Sequence, residues 1–344
     1  MSPDYPFLLA CQRQPTPFTP VWMMRQAGRY MPEYRAIRER MSFLELCKTP
    51  EKAAEVTLQP IDRIGVDAAI LFADILLVLE PLGLGLKFLP NDGPSLENPI
   101  RSTADVEKMP PVDVRDSLSY VFETVSLVRR ELEGRVPLIG FAGAPFTLAS
   151  YAIEGGGSRN YLDTKRFMLE HPDAWDSLME RLVDVTAAYL TEQVSAGAQA
   201  LQIFDSWVGH LGPDDYRARV LPHMQSLFGR LPKEVPVIHF GTGTAGLLEL
   251  IAEAGGDVIG LDWRVPLSEG WRRVGYDHAV QGNLDPAILF APFEVIREKV
   301  RGLLAEADGR PGHIANLGHG ILPKTPVDGV RCLVDTIHEL SAKA

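Results

Sequence analysis

Along this chain, short apolar runs alternate with amphipathic stretches. The runs are residues 21–24, 68–72, 136–141, 200–204, 235–240, 258–261, 279–281 and 313–315, each soon followed by polar or glycine residues. Several are apolar throughout, as expected of strands buried on both faces. The intervening stretches follow a 3.6-residue period. Leu118, Val121, Phe122, Val125, Val128 and Leu132 share one face, as do Leu178, Leu182, Val185 and Tyr189. Pro172-Asp173 and Gly197 bound the second of these helices, and Pro213-Asp214 opens another. Further helices are predicted over 244–254, 292–307 and 326–342.

Eight strands alternating with helices predict one (β/α)8 barrel over residues 1–344, with its active site at the C-terminal ends of the strands. Residues 83–113, rich in Pro, Gly and Asn, read as a loop insertion near the barrel mouth. The competing architecture is an open doubly wound sheet. Gly241-Thr242-Gly243-Thr244-Ala245-Gly246 matches a dinucleotide fingerprint, with Asp262 at about the expected distance. Against it, four strand–helix units precede the match, whereas the fingerprint usually opens its domain.

Composition narrows the function classes. The formal charge of −11 argues against a nucleic-acid partner. It also requires that an anionic ligand be met by a local basic pocket. No apolar run is long enough to span a bilayer, and the N-terminus carries no secretory pattern. Cys11, Cys47 and Cys332 are scattered and odd in number, which fits a reducing cytoplasm.

The strand ends carry the candidate chemistry. Arg25 and Arg29 follow the first run, separated by Gln26, Ala27 and Gly28. Two guanidinium forks on a tight turn suit a ligand with several carboxylates or phosphates. The plainer reading is a pair of surface ion pairs. Asp74 follows the second run amid apolar residues, where a carboxylate is costly unless something meets it. It is either a helix cap, a partner of Arg25 or Arg29, or a fixed negative charge aimed into the barrel mouth. His319 lies between two glycines after the last run; Tyr151 and Ser206 are neutral hydrogen-bonding groups. Gly155-Gly156-Gly157-Ser158 lacks the ending of a phosphate loop and reads as a flexible turn. No His, Cys, Asp or Glu cluster has zinc spacing, and no lysine stands at a strand end to form a Schiff base.

Met24-Arg25-Gln26-Ala27-Gly28-Arg29-Tyr30 and Gly140-Phe141-Ala142-Gly143-Ala144-Pro145-Phe146-Thr147-Leu148 together resemble the uroporphyrinogen decarboxylase family of haem biosynthesis. Gly260-Leu261-Asp262-Trp263, Gln281-Gly282-Asn283-Leu284-Asp285-Pro286 and Asn316-Leu317-Gly318-His319-Gly320 extend the likeness to near the C-terminus. The resemblance implies a barrel, a homodimer, a bacterial cytoplasmic location and catalysis without metal or organic cofactor. The implied reaction converts the four acetates of uroporphyrinogen III to methyl groups, giving coproporphyrinogen III. Arg25, Arg29 and Asp74 carry over as catalytic residues, and these with Gln26, Ala27, Gly28, Tyr151, Ser206 and His319 as substrate-binding residues.

That substrate is a flexible ring of four pyrroles bearing acetates and propionates. Arg25 and Arg29 suit its carboxylates. Asp74 suits the inward-pointing pyrrole N–H groups and a cationic ring formed during reaction. The first proton comes from a bound water, His319 or a substrate carboxyl group. Two other classes compete. A zinc methyltransferase of the same barrel superfamily would need a cysteine near His239-Phe240-Gly241, and none is there. A non-catalytic tetrapyrrole carrier would have no need of Arg25, Arg29 and Asp74 together.

Overall fold

The computed structural model describes residues 5–89 and 93–343. Seven strands form one wholly parallel sheet: β1 (Ala69–Ile70), β4 (Leu138–Gly143), β5 (Ala200–Asp205), β6 (Val237–Gly241), β7 (Val258–Gly260), β8 (Ala279–Leu284) and β9 (His313–Leu317). They pair in chain order, β1-β4-β5-β6-β7-β8-β9. A doubly wound sheet reverses its strand order at a switch point, and this sheet has no reversal. Burial is complete along β4, β6, β7 and β9, which accounts for their mostly apolar composition, with His239, His313 and Asn316 as buried polar exceptions. β2 (Leu86–Leu89) and β3 (Gly93–Leu96) form a separate antiparallel hairpin. It falls within the 83–113 segment, of which positions 90–92 lie outside the described residues.

The first apolar run does not become a strand. It makes a single bridge, Val21 to Ala315 of β9. On its other side the Asp67 N–H donates to the Val21 carbonyl at 2.8 Å. Side chains take three of the run's N–H groups: Asp67 accepts the Val21 N–H at 2.7 Å, Gln26 the Met23 N–H at 3.0 Å, and Asn316 the Met24 N–H at 3.3 Å. Partners supplied by side chains satisfy the backbone without a ladder. The chain is thereby released into a turn directly below Arg25.

The helices between strands have ordinary boundary chemistry. Proline opens Pro50–Ile64, Pro145–Glu154, Pro172–Ala196 and Pro213–Arg219. Left-handed glycines close two of them, Gly65 (φ 77°) and Gly155 (φ 82°). The predicted 244–254 helix is split into a 3₁₀ turn, Thr244–Gly246, and Leu248–Ala254. Inside the sheet, the Trp22 indole donates to Gln281 at 2.9 Å and the Gln281 amide donates to Gln202 at 3.0 Å. No helix among the described residues is long and apolar enough to cross a membrane.

Candidate active site

A cavity of about 970 Å³ opens at the C-terminal ends of the strands. This is near the top of the roughly 300–1,000 Å³ range of small-molecule sites, so it suits a large ligand. One wall is aromatic. Phe72, Phe141, Phe204 and Phe240, each the last residue of an apolar run, line it from the segment after β1 and from β4, β5 and β6. Phe141 and Phe204 stand 5.6 Å apart between ring centres, and Phe204 and Phe240 6.0 Å. Phe88 and Leu89 of the hairpin face the same space.

Arg25 and Arg29 line the same cavity and are exposed. Among the described residues, neither has a carboxylate within 4.0 Å. The surface ion-pair reading therefore fails, and the turn presents two uncompensated positive charges. Burial foremost, then the neighbouring Arg29 charge, lowers the Arg25 pKa; Asp74 and Tyr151 oppose this. Arg25 adopts a left-handed backbone (φ 62°). Its side chain crosses Gly320 so closely that a Cβ there would lie 2.7 Å from its Cγ. The glycine after His319 thus makes room for the arginine. Ala27 and Gly28 also line the cavity.

Gln26 is the departure from the expected substrate loop. It is fully buried and does not line the cavity. Its amide oxygen accepts from Met23, its amide nitrogen donates to the Ala68 carbonyl at 2.9 Å, and its own carbonyl accepts the Tyr30 hydroxyl at 2.8 Å. All of its side-chain bonding is spent on shaping the turn, so Gln26 supports the loop and does not touch the cavity.

Asp74 sits at the cavity floor. Its Oδ1 accepts the Leu76 N–H at 2.9 Å, the local capping bond of an Asx turn. No side chain pairs with it among the described residues, so its second oxygen is free toward the cavity. Burial raises its pKa to about 6, while the Leu76 N–H and the Arg25 charge hold it down. It is a carboxylate near its titration point, facing an apolar wall.

His319 accepts the Gly320 N–H on Nδ1 at 2.7 Å, which leaves Nε2 to carry the proton. Burial, with the Arg25 and Arg264 charges, lowers its pKa to about 4 against the pull of Asp262. The neutral ring is a hydrogen-bond donor at neutral pH and not a store of protons. Tyr151, on helix Pro145–Glu154, has its pKa pushed up to about 12 by burial and by Asp74, against Trp207 and Arg25. It too is a neutral donor. Ser206 follows β5, and its carbonyl accepts the Thr242 hydroxyl.

The structure thus gathers Arg25, Ala27, Gly28, Arg29, Asp74, Tyr151, Ser206 and His319 around one cavity. Sequence reasoning missed the phenylalanine wall, although four runs visibly end in Phe. It also missed Arg38, the last residue of helix Pro32–Arg38, and Arg40 just beyond it, both of which line the cavity. The other glycine signals resolve as packing. A Cβ on Gly209 would fall 2.7 Å from Gly243, and the Gly243 N–H is held by Asp262, so the 241–246 loop has no room for a pyrophosphate. Gly156 bridges Ser95 of the hairpin, and the Gly155 carbonyl accepts the Leu96 N–H at 2.9 Å. His239 packs on Phe228, ring centres 5.1 Å apart, and does not line the cavity.

A sequence model described as Uroporphyrinogen decarboxylase (URO-D) matches residues 2–340. Uroporphyrinogen decarboxylase of Carboxydothermus hydrogenoformans is 58% identical over 337 residues, covering 98% of this chain and 96% of that protein. The protein of the same description from Roseiflexus sp. is 56% identical over 344 residues, covering 98% and 99%. Among solved structures, a methyltransferase from Methanosarcina mazei superposes with a TM-score of 0.82 over 97% of both chains, at 20% identity. That likeness concerns the fold alone.

Proposed function

Because this chain belongs to the uroporphyrinogen decarboxylase family, we propose that it removes carbon dioxide from the four acetate groups of uroporphyrinogen III. The product is coproporphyrinogen III, in tetrapyrrole and haem biosynthesis. One observation carries the reading. A single cavity sets the unpaired carboxylate Asp74 and two unpartnered arginines against a wall of phenylalanines. A porphyrinogen has matching parts: an apolar macrocycle, a ring of carboxylates, and pyrrole N–H groups converging on its centre.

Arg25 and Arg29 take the acetate and propionate carboxylates in bidentate contacts. Ser206 and the Nε2–H of His319 add neutral contacts, and Tyr151 orients the ring. Asp74 accepts pyrrole N–H bonds through its free oxygen. Protonation of a pyrrole α-carbon makes that ring cationic. The carbon–carbon bond to the carboxylate then breaks, its electron pair enters the ring, and carbon dioxide leaves. A proton added to the exocyclic carbon makes the methyl group, and loss of the α-proton restores the pyrrole. Each turn consumes one proton net. The Asp74 charge stabilises the cationic ring more than the neutral one, which is the condition for catalysis.

The pyrrole is its own electron sink, so the chemistry requires neither metal nor organic cofactor. We read residues 1–344 as a single (β/α)8 barrel in which the 20–22 segment, bonded to both β9 and Asp67, fills the eighth position. The 83–113 segment overhangs its mouth. The chain acts as a cytoplasmic homodimer on a small-molecule substrate, with neither nucleic acid nor membrane as partner.

The test is anaerobic incubation with uroporphyrinogen and chromatography of the products, for the wild type and Asp74→Asn. The wild type yields coproporphyrinogen. The folded Asp74→Asn protein binds substrate but loses nearly all turnover. Near wild-type kcat in that variant would sink the role given to Asp74.

A further inference from the structure

Ser206 and Tyr151 reach the cavity from different elements, a strand end and a helix, yet both must meet one ligand. Between them lies a buried pair. Asp205, the last residue of β5, and Thr147, in the first turn of helix Pro145–Glu154, are both 0% exposed. The Thr147 hydroxyl donates to Asp205 Oδ1 at 2.9 Å and accepts the Trp207 N–H at 3.2 Å. The residues flanking Ser206 are therefore both anchored to one hydroxyl, and that hydroxyl sits one helical turn from Tyr151 on the same face. The Trp207 ring completes the link, lying 6.0 Å from Tyr151 between ring centres. Among the described residues the other Asp205 oxygen has no partner. A carboxyl left in that state is costly to bury, and a purely structural site would favour an apolar residue.

We propose that Thr147 and Asp205 are positioning residues, a buried pair that holds Ser206 and Tyr151 in register for the same substrate. The inference rests on the reading of Ser206 and Tyr151 as substrate contacts. Neither member of the pair touches the cavity, so its effect is on how well those two groups are placed. Burial raises the Asp205 pKa to about 7 against the Thr147 hydrogen bond, so its neutral form is accessible near neutrality.

The experiment is a kinetic comparison of Thr147→Val, Thr147→Ser, Asp205→Leu and Ser206→Ala, with thermal melting of each. Thr147→Val should raise KM by roughly three- to tenfold, with kcat little changed. Thr147→Ser, which keeps the hydroxyl, restores wild-type KM, and Asp205→Leu reproduces the Thr147→Val effect. In the double variant Thr147→Val/Ser206→Ala, the loss should be less than the two single losses combined, because the part of the Thr147 effect that acts through Ser206 is already gone. Additive losses in that cycle, or a Thr147→Val enzyme with wild-type KM, would overturn the positioning role while leaving Ser206 as a contact. Wild-type kinetics in Ser206→Ala would instead overturn the substrate reading on which the proposal stands. Should Asp205→Leu fail to fold, the Thr147 variants alone decide.

Discussion

Asp74 is held in a state that the fold resists. Its pKa is raised from 3.8 to about 6, chiefly by burial, so ionising it in the folded protein costs stability. The unfolded chain gives up this proton more readily, so the penalty develops as pH rises from 3.8 and is complete above about 6. Two outcomes follow from this. Asp74→Asn should stabilise the protein at pH 8, by on the order of 1–3 kcal/mol, with the gain disappearing toward pH 4. In the wild type, kcat/KM should fall with unit slope as pH drops through about 6, because the reactive form is the carboxylate. Melting curves and a pH–rate profile check the two together; an Asp74→Asn protein less stable than wild type at pH 8 would refute the burial penalty. The arginines carry a separate prediction. Arg25→Lys and Arg29→Lys should each cost about 1.5–3 kcal/mol in kcat/KM, because an ammonium cannot make the forked contact. Substrate titrations and steady-state rates at normal values in both variants would exclude the clamp.

The element that delivers these arginines is a failed strand. Residues 21–24 have the composition of a strand, and the sequence reading placed one there. Asp67, Gln26 and Asn316 displace the ladder, and two of them lie far away in sequence. Nothing local in the run announces them. The other seven strands were legible because burial on both faces leaves short, mostly apolar runs. The hairpin was not legible, since Leu86–Leu89 and Gly93–Leu96 are short and contain Lys, Gly and Pro. Within the site, residue types that bear charge stood out, but the direction of a side chain did not. Gln26 sits between two cavity residues and points into the protein. Gln26→Leu should therefore leave the Met23 N–H and Ala68 carbonyl unpaired and cost about 1–3 kcal/mol of stability. Activity should fall with it, because Arg25 loses the turn that aims it. Thermal melting and steady-state kinetics check this; a Gln26→Leu protein of normal stability but greatly weakened substrate binding would make Gln26 a direct contact instead.

At the scale of the whole molecule, the charges are arranged against their average. The chain carries a formal charge of −11, yet the cavity at the strand ends is lined by Arg25, Arg29, Arg38 and Arg40. A polyanionic ligand is thus drawn to one place and repelled elsewhere. The phenylalanine wall supplies a dry surface for an apolar ring, and desolvation strengthens the electrostatic contacts made beside it. The cavity is lined by the N-terminal turn, the segment after β1, strands β4 to β6 and the segment after β9, so residues far apart in the sequence meet only when these elements are assembled. On the proposed reading, this assembly decarboxylates a porphyrinogen with no help beyond the substrate's own pyrroles. The most direct test is an anaerobic assay of protein dialysed exhaustively against a strong chelator, with carbon dioxide release and product chromatography as readouts. Full activity, with stepwise loss of four carboxyl groups and no added cofactor, is the expected result. Activity that disappears on dialysis and returns with a metal ion or an organic cofactor would contradict the account.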